Sequence, residues 1–126
     1  NAAGVDLGGR RIIKKKIFFD PEKIKQVLIN LIRNAIEATP EHGRVEVRCQ
    51  DREGSFEMTI RDTGMGMDAD QVNRIFNLYY TRKKEGTGVG LSIVQQIVSQ
   101  HNGTIQVDST PEQGTTFTLV FPKESE

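Results

Sequence analysis

The chain has 126 residues, 36% hydrophobic and 27% charged, the balance of a single soluble globular domain rather than two. With 17 Lys+Arg against 17 Asp+Glu, no Trp and 6% aromatics, the sequence supplies neither a net field for nucleic acid or an anionic membrane nor a stacking platform for bases. Its one cysteine, Cys49, excludes an internal disulfide and a thiolate zinc site and fits a reducing compartment, and no apolar run approaches the ~20 residues of a membrane span.

Residues 1–10 (NAAGVDLGGR) read as a linker end or a weak edge strand, and residues 11–126 as one domain. Asn1 follows neither an initiator Met nor a signal peptide, so a piece of a longer protein is expected. From Arg11 to Phe19 the β-branched and aromatic content rises, predicting a lysine-bearing strand near a sheet edge. Asp20-Pro21 then supplies an N-cap residue and a proline at the first helical position, although Lys23 stands where a capping box would place Glu or Gln. Ile24, Val27, Leu28, Leu31, Ile32, Ala35 and Ile36 recur at helical spacing and predict one apolar face, closed by Thr39-Pro40 and Gly43.

Val45, Val47 and Cys49, then Phe56, Met58 and Ile60, alternate with charged residues around DREG, the pattern of an antiparallel hairpin with one wet face. On this phase Cys49 reads as a core filler. A short helix fits Met67–Phe76, starting near Asp68, and residues 77–86 carry no period. Val89, Ile93, Val94, Ile97 and Val98 predict a second amphipathic helix ending at Asn102-Gly103, and a last hairpin turns at TPEQG. The expected fold is α+β: a two-layer sandwich whose mixed, mostly antiparallel sheet is covered on one face by about three helices.

Three constellations carry chemistry. Asn30, Asn34 and Glu37 line one border of the first helix's apolar arc at i, i+4 and i+7. A carboxamide oxygen is a hard ligand that suits Mg²⁺, which binds through few protein groups plus waters and phosphates; two asparagines can equally well bond nearby loops. Asp62-Thr63-Gly64-Met65-Gly66 follows a strand. Its carboxylate can accept from an exocyclic amine such as adenine's, and its glycines allow positive φ or close approach of a flat ring. The same residues also make an ordinary strand-ending turn, or half of a dimeric aspartic protease, which the helical remainder of the chain disfavours. Gly86-Thr87-Gly88-Val89-Gly90 opens the second helix with Arg82, Lys83 and Lys84 just upstream. Exposed amides at a helix N-terminus form an anion site, but the motif is neither a Rossmann nor a Walker loop, and a hinge without ligand fits it too. His42 and His101 lack suggestive neighbours, and the basic run at residues 10–16 reads as a solvated edge or an aid to docking.

In order and spacing, QVLINLIRNAIEA, DTGMG, IFNLYYTRKKEGTGVGLSIV and GTTFTLVFP resemble the N, G1, F, G2 and last G boxes of sensor histidine kinases, over about residues 18–122. The resemblance implies the catalytic, ATP-binding domain of that family, within a superfamily shared with gyrase, a heat-shock chaperone family and MutL. It implies Asn34 as magnesium ligand, with Asn30 and Glu37 near the phosphates. It gives Asp62 the adenine amine, with Gly64 and Gly66 beside the ring and Thr115 supporting that end. It places Lys83 at the basic lid position, with Gly86, Gly88 and Gly90 on the phosphate side; Arg82, Thr87, Val89 and Leu91 belong to the same ATP-binding stretch. Asn30, Asn34 and Lys83 are thereby the expected catalytic residues. Phe76 with Tyr79 and Tyr80 matches the aromatic lid stem, where Phe-Phe is commoner.

Four residues before the metal-binding asparagine, gyrase-like ATPases carry a glutamate that activates water. Here that place holds Asn30, which cannot act as a base, so a site that holds ATP without efficient hydrolysis is expected. The phosphoacceptor histidine with its following acid is absent from the sequence. Autophosphorylation by this chain alone is therefore not expected, and neither is stable dimerisation. The implied partners are a dimerisation domain bearing the acceptor histidine and a response regulator, with no nucleic acid; the implied location is the cytoplasmic part of a parent that can be membrane-anchored. The rival readings are a serine kinase of the anti-sigma-factor type and a non-catalytic nucleotide sensor.

Overall fold

The computed structural model describes residues 3–5, 11–13, 15–77 and 90–125. The expected lid stem and the glycine-rich stretch, residues 78–89 with Tyr79, Tyr80, Arg82, Lys83, Gly86, Thr87, Gly88 and Val89, lie outside them.

Two short strands, β1 (Ala3–Val5) and β2 (Arg11–Ile13), pair antiparallel, and β3 (Lys15–Lys16) pairs with β8 (Glu124–Ser125). The strand expected over Arg11–Phe19 is thus split, and neither piece joins the central sheet. Its distal residues are taken up elsewhere: Ile17 and Phe19 pack on the core, and Asp20 caps a helix.

That helix, α1 (Pro21–Ala38), starts where the Asp20 carboxylate accepts from the Glu22 and Lys23 amides at 3.1 and 3.4 Å. It stops at Thr39, whose extended backbone precedes Pro40 and whose hydroxyl donates to the Ala35 carbonyl at 2.6 Å. Ile24, Val27, Leu31 and Ala35 are buried, with Leu28 packed against the core's margin. Ile36 is 60% exposed, against the expectation that it would share the apolar face; it falls one residue past the buried Ala35 and rotates outward.

The central sheet has the order β4-β5-β7-β6, with every ladder antiparallel rather than mixed. Its strands are β4 (Val45–Asp51), β5 (Ser55–Asp62), β6 (Thr104–Thr110) and β7 (Gly114–Pro122). Alternation sends Met58, Ile60, Phe117, Leu119 and Phe121 toward the helices, and they form one core with Val94, Ile97 and Val98 of α3 (Gly90–Gln100). Cys49 shares the phase of Met58, opposite which it pairs, yet it is exposed rather than a core filler. β4 is an edge strand, and only its first two residues are partly covered.

A six-residue helix, α2 (Ala69–Arg74), opens on a full capping box between Asp68 and Gln71. α3 closes in a Schellman arrangement: the Gly103 amide donates to Val98 O at 2.9 Å and the Asn102 amide to Ser99 O at 3.0 Å. Asn102 takes the left-handed position with φ 60°, while Gly103 is needed because a Cβ there would sit 2.6 Å from the Phe121 ring. Among the described residues no helix is long and apolar enough to cross a membrane.

Candidate functional site

At the end of the sheet where β5 finishes, register places Asp62 opposite Thr115, and Thr115 opposite Ser109. All three lie on the helix-facing side, in the row beyond Ile60, Phe117 and Val107. Asp62 and Thr115 are the two buried polar residues among the described ones, 5% and 7% exposed. A buried carboxylate must be compensated, and here Asp62 Oδ1 accepts from the Gly64 amide at 2.8 Å and the Thr115 amide at 3.3 Å. Both bonds use one oxygen, leaving the other to accept from a donor brought into the site. Beside it the Thr115 hydroxyl lies 2.8 Å from that of Ser109, which accepts from the Met67 amide at 2.8 Å and donates to the Gly114 carbonyl at 3.1 Å.

The glycines around this row are fixed by the protein's own backbone. A Cβ on Gly64 would lie 2.3 Å from Ala38 O, where the last turn of α1 crosses the loop and accepts from the Met65 amide at 3.1 Å. On that side the absence of a side chain lets Gly64 pack directly against the last turn of α1. Gly66 combines φ 64° with an approach to Thr110 O, and Gly114 combines φ 107° with an approach to Asp62 O. The loop after Asp62 is in this way pressed between the C-terminus of α1 and the β6–β7 turn.

From Ala38 the polar border of α1 runs back through Asn34 to Asn30, at i−4 and i−8, a rise of about 12 Å. Both asparagines are half-buried, and Asn34 and Glu37 have partners within the protein, Glu37 from an exposed position. At the far end Gly90, the first residue of α3, stands so close that its Cβ would lie 3.8 Å from the Asn30 carboxamide. A buried carboxylate at one end, a helix N-terminus at the other and carboxamides between them are chemically suited to an amine-bearing base joined to a chain of phosphates. The described residues hold no cluster of three or more His, Cys, Asp or Glu able to cage a metal. The donor set fits a magnesium ion that takes a single carboxamide and completes its shell with phosphate and water.

The structure therefore brings together Asp62, Gly64, Gly66 and Thr115 at one end and Asn30 and Gly90 at the other, with Asn34 between. Glu37 is exposed at the margin, and Leu91 is half-buried on α3. Phe76 lies edge-on to Phe117 with ring centroids 6.5 Å apart, fastening the segment that leads toward residue 78 to the core. Ser109 joins this row although a serine in a strand carries no signal in the sequence until the hairpin register sets it beside Thr115.

Residues 19–125 match the family described as histidine kinase-, DNA gyrase B-, and HSP90-like ATPase. The chain belongs to this family. Within this ATPase family it is 47% identical over 103 residues to the sensor histidine kinase ZraS of Escherichia coli strain K12, covering 82% of this chain and 22% of that protein. Among solved structures it is similar to the catalytic domain of the histidine kinase ThkA, with TM-score 0.73 and 33% identity over 95% of this chain and 76% of that one. It is also similar to full-length ShkA in complex with AMPPNP, with TM-score 0.75 and 29% identity over 87% of this chain and 23% of that one. The chain thus spans about a fifth of the length of ZraS. The antiparallel sheet and helices of these ATPase-family catalytic domains are the architecture described above.

Proposed function

We propose that this chain binds Mg-ATP along the polar border of α1 and presents the γ-phosphate to a histidine on a separate dimerisation domain of a longer sensor kinase. Carrying this reading is one observation: the buried Asp62 is held, through Gly64 and Ala38, at a fixed distance along α1 from Asn34, Asn30 and the start of α3. Asp62 receives the adenine amine, with Thr115 beside it. Asn34 would hold the magnesium ion, which neutralises phosphate charge when bound. Asn30 lines the phosphates without acting as a base, which suits a site that transfers rather than hydrolyses. Lys83, Arg82 and the Gly86–Gly90 stretch supply the remaining phosphate contacts by their place in the kinase-like motifs. A response regulator would receive the phosphoryl group from the acceptor histidine, and the domain would work on the cytoplasmic side.

Trans-phosphorylation tests this reading. Labelled ATP, this chain and a separately made dimerisation domain should yield an acid-labile phosphohistidine on the second protein. Nucleotide binding with no transfer to any such domain would favour a sensing module; acid-stable label would favour a serine kinase.

A further inference from the structure

Ser109 Oγ has one proton and two lone pairs, and the structure surrounds it with three partners. The Met67 amide at 2.8 Å can only donate to it, and the Gly114 carbonyl at 3.1 Å can only accept from it. With the serine proton on Gly114 O, which can only accept, one lone pair remains for the third partner, Thr115 Oγ1 at 2.8 Å, a pair in which either hydroxyl can donate. In that arrangement Thr115 is the donor in the pair, and its own lone pairs are what it offers to the site.

We propose that Ser109 is a positioning residue that fixes Thr115 as a hydrogen-bond acceptor, so that Asp62 and Thr115 together select a base bearing an exocyclic amine over one bearing a carbonyl at the same place. The inference rests on the nucleotide-binding reading above and deepens it by assigning the origin of base selectivity. Asp62 is an acceptor by its charge. Thr115, left to rotate, could turn its proton toward a carbonyl and accommodate the wrong base; with the proton held by Ser109, a carbonyl oxygen would face lone pairs on both residues. Ser109 also accepts the amide that follows Gly66, so one hydroxyl ties the loop after Asp62 to the β6–β7 hairpin on which Thr115 sits.

The test compares ADP with IDP, which replaces the amine by a carbonyl and adds a proton at ring N1, using calorimetry in the presence of magnesium. Wild-type protein should favour ADP. In Ser109→Ala the ratio of the two dissociation constants should fall by about three- to tenfold, and Ser109→Thr, which keeps the hydroxyl, should retain the wild-type ratio. Ser109→Cys, close in size, should lose selectivity as alanine does and keeps the ratio readable if the alanine form does not fold. In a Thr115→Val background Ser109→Ala should change the ratio no further. An unchanged ratio in both the alanine and cysteine variants, or an equal loss with Thr115 already removed, overturns the role of Ser109 while leaving nucleotide binding intact. Wild-type protein that binds neither nucleotide overturns both readings.

Discussion

The backbone amide of Asp20 donates to His101 Nε2 at 3.1 Å, across 81 residues of sequence. The other ring nitrogen lies 2.8 Å from Ile97 O, a group that can only accept, so hydrogen-bond accounting assigns the proton to Nδ1 and the lone pair to Nε2. The ring also rests against Phe19, with centroids 5.9 Å apart. His101 thereby fastens the residue that caps the start of α1 to the end of α3, at the opposite end of the sheet from Asp62.

His101→Ala should cost about 0.5–1.5 kcal/mol, because it removes the hydrogen bond to the solvent-reachable Asp20 amide and a ring from the Phe19 contact. Urea unfolding gives this value directly. Nucleotide affinity should be unchanged, since the site runs along the C-terminal half of α1, from Asn30 onward, away from its Asp20 cap. A variant as stable as the parent would mean that the cap stands without the histidine.

Cys49 makes a different prediction from the one its sequence phase invites. Being exposed on the edge strand β4, it should react with a thiol reagent in the native protein at the rate of a free thiol. Cys49→Ser should change stability by no more than about 0.5 kcal/mol. Slow, unfolding-limited labelling would place it in a core after all.

Much of the architecture was legible because period and capping act locally. Asp20-Pro21 and Asp68 mark helix starts, and Ile24, Val27, Leu31 and Ala35 mark a buried face, without help from distant residues. Failure came where coverage by another element decides burial. Cys49 and Ile36 have the expected composition around them, yet among the described residues no element covers Cys49, and Ile36 sits at the border of the arc that the core accepts. The pairing of Lys15–Lys16 with Glu124–Ser125 depends on a contact across the whole chain. In the site, Asp62 stood out through its glycines, whereas Ser109 depends on register alone.

The glycines offer an internal comparison. Gly114→Ala would place a Cβ 2.1 Å from Asp62 O at a φ of 107°, and should destabilise the fold by about 2–4 kcal/mol. Gly54 sits in the β4–β5 turn with nothing within 4 Å of its would-be Cβ, and Gly54→Ala should be neutral within about 0.5 kcal/mol. Chemical denaturation of the two variants side by side checks this, and equal stability would show that the β6–β7 turn gives way to accommodate the methyl group.

Asn34→Ala should leave the melting temperature within a few degrees of the parent, because the side chain borders the core without filling it. Phosphotransfer to an acceptor domain should fall at least about tenfold, with a higher magnesium concentration needed for half-maximal rate. A variant with parental magnesium dependence would remove Asn34 from the metal.

Asp62→Asn separates what the carboxylate does for the fold from what it does for the base. An asparagine can keep its oxygen toward the Gly64 and Thr115 amides, which donate to Oδ1 at 2.8 and 3.3 Å, so the loop should retain its shape. The second position then carries an NH₂ group in place of an oxygen, turning an acceptor into a donor. ADP should bind about 10- to 100-fold more weakly, the loss of a charge-assisted bond together with the facing of two donors. IDP, whose carbonyl can accept from that NH₂, should lose less or gain. Calorimetry on the parent and the variant with both nucleotides reads the crossover, and equal weakening of ADP and IDP would place Asp62 in support of the loop rather than against the base.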